Sequence, residues 1–171
     1  MSLGRQGLQH APQYSQAAYQ DMLRREVSLG NYFMLPSCHF KTVGDNEGAR
    51  KTMVLLMEEL HSIKGYRELT LFLAVNIADH YLASLARSGD VSPNVVHLGV
   101  VSLLLAVKMN EPIVPNLQNM VILINQKMPN SLTLKDLTAL ERRIIIELDF
   151  DLQTQTSITF MERYCQLFYL D

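Results

Sequence analysis

Four charged side chains stand where the surrounding pattern calls for hydrocarbon: Arg50, Asp79, Lys108 and Glu141. In "YRELTLFLAVNIADHYLA", residues 66–83, helical steps put Phe72, Val75, Leu82 and Ala83 on the same face as Asp79. A carboxylate buried without a cation is costly. The usual answer is a guanidinium from an adjacent helix, whose planar fork gives two parallel N–H bonds. Arg50 heads the stripe that continues through Met53, Val54, Met57 and Leu60, and is the expected partner of Asp79. In "LTLKDLTALERRIIIEL" the residues Leu134, Leu137, Ile144, Ile145 and Leu148 form an apolar stripe with Glu141 inside it. Lys108 is the charge that ends the run "VVHLGVVSLLLAVK". The chemistry these groups offer is charge-assisted hydrogen bonding. A bland role stays open for two of them: Lys108 could complement a helix C-terminal dipole, worth about 0.3 to 1 kcal/mol, and Glu141 could pair with a surface Lys or Arg.

Other chemistries lack their residues. The five histidines do not fall at metal-ligand spacing, and there is no GxSxG or phosphate-binding loop. Asp149 and Asp151 lie at a helix exit, where solvation is expected. Cys38 and Cys165 are far apart and lack CxxC spacing, so free, mostly buried thiols and a reducing compartment are expected. No cofactor, metal or small-molecule ligand is expected, and the nine methionines fit an adaptable core or partner surface.

The elements that must hold these residues are helices. A chain of 171 residues with 48% hydrophobic content is one domain's length with enough apolar mass for a core. The 15 Lys and Arg are outnumbered by 17 Asp and Glu, and no basic run is longer than "RR", so nucleic acid is not an expected partner. "MSLGRQGLQHAPQYSQ" is polar where a signal peptide needs an apolar core. The apolar stretch Val95 to Val107 is shorter than the roughly 20 residues of a membrane span, so no membrane is expected.

Residues 1–14 read as a flexible tail, followed over 15–45 by a helix that ends at Gly30 and a loop containing Pro36 and Gly44. Five bundle helices then run from about Glu47 to Gly65, Arg67 to Ala86, Pro93 to Met109, Pro115 to about Gln126, and Thr133 to about Leu148. Thr133 and Asp136 suit a capping box. A short helix over "SITFMERYCQLFY" closes the chain, and no hairpin signal separates alternating segments. The fold class is all-α.

At this point the residues carry a resemblance. "TLFLAVNIADHYLA" resembles the second helix of a cyclin box, "LGVVSLLLAVKMNEPIVPNLQNMV" its third and fourth, and "LERRIIIELDFDLQTQTSITFMERY" its fifth helix and exit. With "GARKTMVLLMEEL" the likeness covers roughly residues 48–164 in the family's order, and "YQDMLRREV" is similar to the helix that cyclins carry before the box. The implied architecture is a five-helix cyclin box over 46–152, an extra N-terminal helix before it and a short C-terminal helix over 153–171, with the second box of two-box members absent.

The resemblance implies that the family's buried Arg to Asp ion pair falls on Arg50 and Asp79. It implies that the kinase-contacting Lys and Glu fall on Lys108 and Glu141, where they hydrogen-bond main-chain groups near the kinase's mobile regulatory helix. Cell-cycle cyclins have Met-Arg-Ala-Ile-Leu and a following Trp where this chain has "ARKTM" and Leu56, and there is no Trp anywhere. Ala49, Met53 and Leu56 therefore mark a degraded form of the family's substrate-docking patch. The implied function is a regulatory subunit, not an enzyme, that binds and activates a cyclin-dependent serine/threonine kinase as a heterodimer in cell-cycle progression, in the nucleus, the cytoplasm or both. The alternative is a transcription-factor-like cyclin fold serving as a transcription or protein-interaction module, which a basic face would mark.

Overall fold

The computed structural model describes residues 11–33, 46–90, 93–127 and 132–168. Among these there are seven helices and no strand: α1 Ala11–Phe33, α2 Asn46–Lys64, α3 Glu68–Ser88, α4 Val95–Asn110, α5 Leu117–Lys127, α6 Leu134–Glu147 and α7 Ser157–Phe168. α4 is apolar on every side, and every residue from Leu98 to Val107 is buried. A helix with no polar face has to be surrounded. It is the axis of the bundle, with α2, α3 and α6 packed around it.

Gly99 sets how closely two of these helices approach. A Cβ there would lie 3.0 Å from Met53 Cγ and 3.4 Å from the Met53 carbonyl oxygen, so α2 and α4 cross where one side chain is missing. Around this crossing Met57, Leu60, Ile77, Tyr81, Leu103 and Ile144 complete the core. α3 is also long and apolar enough to cross a membrane by length and composition. Its Leu73, Ala74, Ile77 and Ala78 are buried against the rest of the bundle, as in a core helix.

Local signals account for the helix ends. Gly65 (φ 65°) closes α2 and Gly89 (φ 76°) closes α3, each in the left-handed region open to a residue without Cβ. Asn94 caps α4 by accepting the Val96 N–H at 2.8 Å. Thr133 and Asp136 form the reciprocal capping box of α6. α1 departs from the expected limits at both ends. It starts at Ala11, so residues 11–14 of the expected tail are helical, because Pro12 is tolerated in a first turn whose N–H groups lack partners anyway. It also continues through Gly30 to Phe33, since glycine permits a left-handed exit without imposing one.

α1 is joined to α7 by aromatic side chains. The Tyr19 and Tyr164 hydroxyls are 2.8 Å apart, the Tyr19 ring meets Phe160 edge-on at 6.3 Å, and the Arg163 guanidinium lies 5.2 Å from the Tyr19 ring centre. Cys165 beside them is exposed, against the expectation of a buried thiol, because α7 turns that side outward. Cys38 lies outside the described residues.

Candidate functional site

Arg50 on α2 and Asp79 on α3 meet in a fork. Arg50 donates from Nε to Oδ1 at 3.0 Å and from Nη2 to Oδ2 at 2.7 Å. The hydrogen bonds that Arg50 donates to Asp79 raise the Arg50 pKa, outweighing burial, which works to lower it. The pair is not deep in the core: the Arg50 side chain is 42% exposed and that of Asp79 21%. Phe72, Val75, Leu82 and Ala83 do share the Asp79 face, but Phe72 is 43% exposed and the other three are only partly buried. The buried residues of α3 are instead Thr70, Leu73, Ala74, Ile77, Ala78, His80, Tyr81 and Leu85. Asp79 lies two residues past Ile77, about 200° around the axis. The ion pair therefore clips two helices at the rim of the bundle.

Lys108 at the end of α4 and Glu141 on α6 form a second ion pair, with each other. Lys108 is 36% exposed and Glu141 14%. The stripe around Glu141 differs from expectation in two members: Leu134 is 37% exposed and Ile145 only partly buried, while Leu140 joins the core. Leu134 is the first residue of α6, ahead of the turn that meets α4.

The same two helices also carry exposed apolar side chains. Met109, next to Lys108, is 41% exposed and Ile146 on α6 is 58% exposed. Past the end of α6, Asp149 (φ 49°) and Phe150 (φ 63°) both occupy the left-handed region, and the Phe150 N–H bonds back to the Ile145 carbonyl at 3.0 Å. A β-carbon makes that conformation cost roughly 1 to 2 kcal/mol per residue. The tight exit leaves the Phe150 ring 75% exposed. Asp149 and Asp151 are exposed, as expected of an acidic pair at a helix exit.

Of the three docking-patch residues, Ala49 is partly exposed, while Met53 and Leu56 are 1% and 7% exposed and belong to the core. Met53 is held there by the close crossing of α2 and α4 at Gly99. Neither buried side chain offers a ligand a surface. Among the described residues no three His, Cys, Asp or Glu side chains gather as a metal would need.

A known family matches most of the chain. The family model for the cyclin N-terminal domain covers residues 18–153. The chain belongs to the cyclin family. Curated cyclins similar to it include Cyclin-B2-2 of Oryza sativa subsp. indica, 32% identical over 119 residues, which are 70% of this chain and 27% of the relative. G2/mitotic-specific cyclin-2 of Medicago sativa is 29% identical over 119 residues, 70% of this chain and 34% of the relative. G2/mitotic-specific cyclin cig2 of Schizosaccharomyces pombe is 32% identical over 108 residues, 63% of this chain and 25% of the relative. This cyclin chain thus spans about a quarter to a third of the length of those relatives.

Within the cyclin box, two site features had no counterpart in the sequence reading. One is the left-handed exit that presents Phe150: Asp149 is of a type enriched in that region, but the bulky aromatic Phe150 does not signal it. The other is Glu111, whose carboxylate reaches the start of α3. A lone acid just past the end of an apolar helix was the available signal for it.

Proposed function

We propose that this cyclin box binds a cyclin-dependent serine/threonine kinase and activates it, as a regulatory subunit in cell-cycle progression. The observation that carries the reading is the Lys108–Glu141 pair, a partly exposed cation and anion that join α4 and α6. A cation and an anion side by side can hold a main-chain carbonyl and a main-chain N–H of a partner in register. The mitotic names of the similar cyclins support the cell-cycle assignment.

The chain supplies no chemistry of its own in this mechanism. Phosphoryl transfer belongs to the kinase, and the cyclin acts by differential binding. A rigid helical surface that fits only the active placement of the kinase's regulatory helix shifts the kinase population toward that state. The free chain holds Lys108 and Glu141 against each other, so their geometry is set before the kinase arrives. It would work in the nucleus, the cytoplasm or both.

The test is a panel of purified monomeric cyclin-dependent kinases, each titrated with the chain by calorimetry and assayed for histone phosphorylation. At least one should bind and be activated, with both effects reduced by Lys108→Ala. Absence of binding across the panel, or activation untouched by that substitution, would overturn the reading.

A further inference from the structure

Three helix ends converge at one end of the bundle: the last turn of α2, the first turn of α3 and the last turn of α4. The N-cap of α3 is Arg67, whose side chain makes no capping hydrogen bond. Its backbone N–H donates instead to Glu111 Oε1 at 2.9 Å, across 44 residues of sequence. The Thr70 hydroxyl, in the first turn of α3, donates to the same oxygen at 2.5 Å. The Arg67 Nε stands 3.8 Å from Oε2. Glu111 is only 10% exposed, and it is also the C-cap of α4, with its N–H bonded to the Val107 carbonyl at 2.9 Å.

A serine or aspartate at position 67 would cap α3 locally, with less chain to order. Here capping α3 and fixing the end of α4 are one event. The negative charge also sits at the positive end of the α3 dipole. Burial works to raise the Glu111 pKa, but the Thr70 hydroxyl, the Arg67 N–H and the charges of Arg67 and His61 outweigh it and hold the carboxyl below its usual range. Three residues before Glu111, on the turn it anchors, is Lys108.

We infer that Glu111 is the positioning residue of Lys108: by capping α3 from the end of α4 it fixes where the Lys108 ammonium stands against Glu141 of α6. The inference rests on the kinase-binding reading above. It adds a residue that touches no partner atom through its carboxylate and acts through Lys108.

The test is a double-mutant cycle, read as affinity for the panel kinase that the parent chain binds most tightly. Lys108→Ala and Glu111→Ala should each weaken binding by about tenfold or more. The double variant should lose little beyond Lys108→Ala alone, since Glu111 has no route to the kinase once Lys108 is gone. Glu111→Gln, which keeps an oxygen to accept from Arg67 and Thr70, should recover at least half of the Glu111→Ala loss on a logarithmic scale. Full affinity in Glu111→Ala with a lowered affinity in Lys108→Ala overturns the inference and leaves the kinase reading standing. Losses that add in the double variant overturn it too, by assigning Glu111 a general structural role. If Lys108→Ala binds like the parent, both readings fall. Should Glu111→Ala not fold, Thr70→Val, which deletes one donor to the carboxylate, replaces it in the same cycle with the same non-additive result expected.

Discussion

Lys108 and Glu141 satisfy each other across the junction of α4 and α6, so the two residues proposed to meet a kinase are already a pair in the free chain. Their worth to the fold and to binding should differ. A partly exposed single ion pair contributes about 1 kcal/mol or less. In a complex, truncating a charged group bonded to main chain costs roughly 2 to 5 kcal/mol. Lys108→Ala and Glu141→Ala should therefore unfold within about 1 kcal/mol of the parent in urea while losing well over tenfold in kinase affinity. The charge-swapped pair Lys108→Glu with Glu141→Lys should recover stability but not binding. Equal losses in both measurements would return the pair to a structural role.

The Arg50–Asp79 clip should show the opposite balance. Because the side chains are 42% and 21% exposed, a stranded partner keeps much of its hydration, and the loss is smaller than the 3 to 5 kcal/mol typical of a fully buried pair. Arg50→Ala and Asp79→Ala should each cost about 1 to 2 kcal/mol. Arg50→Lys should not restore it, since one ammonium cannot make both arms of the fork. Chemical denaturation of the three variants, with the double alanine variant to close the cycle, measures the coupling.

Gly99→Ala should destabilise by about 1 to 3 kcal/mol, through overpacking. The new methyl meets Met53 Cγ at 3.0 Å, so that buried side chain must give by a few tenths of an ångström, while the Met53 carbonyl at 3.4 Å is in ordinary contact. Met53→Ala in the same chain should relieve part of the loss. Melting temperatures of the two single variants and the double variant decide it.

Stability should fall on mild acidification because of His80. Burial lowers its pKa from 6.5, with a further push from the Arg87 charge and an opposing pull from Asp151. The unfolded chain therefore takes up the proton at a higher pH than the folded one. The His80 contribution is complete above about pH 6.5 and is lost as pH drops through the lower, folded value. His80→Gln should flatten the dependence of the urea midpoint on pH in that interval; an unchanged slope would remove His80 as its source.

Local chemistry made much of this protein legible in its sequence. Gly65, Gly89 and the Thr133–Asp136 box mark helix ends through bonds formed within a few residues, so their meaning does not depend on the rest of the fold. The helix order and the positions of Arg50, Asp79, Lys108 and Glu141 were enough to resemble the cyclin box, and the family model covers 18–153. The pairing of Arg50 with Asp79 followed from charge type and stripe position, and the two side chains do meet.

What tertiary structure alone decided are facts of direction and distance. In α3 the apolar Phe72 and Ala83 share the arc of Asn76 and Asp79, so apolar neighbours alone did not say which arc is buried, and Asp79 fell at the rim instead of in the core. Met53 already stood in the apolar stripe of α2, but the close approach of α2 and α4 at Gly99 that locks it in place is recorded by no pattern within α2. Lys108 finds Glu141, and Glu111 caps α3, only because three separate helices end or cross at the same places. A sequence states each helix's preferences one turn at a time, whereas these contacts join residues tens of positions apart and exist only once packing around α4 has fixed the helices against one another.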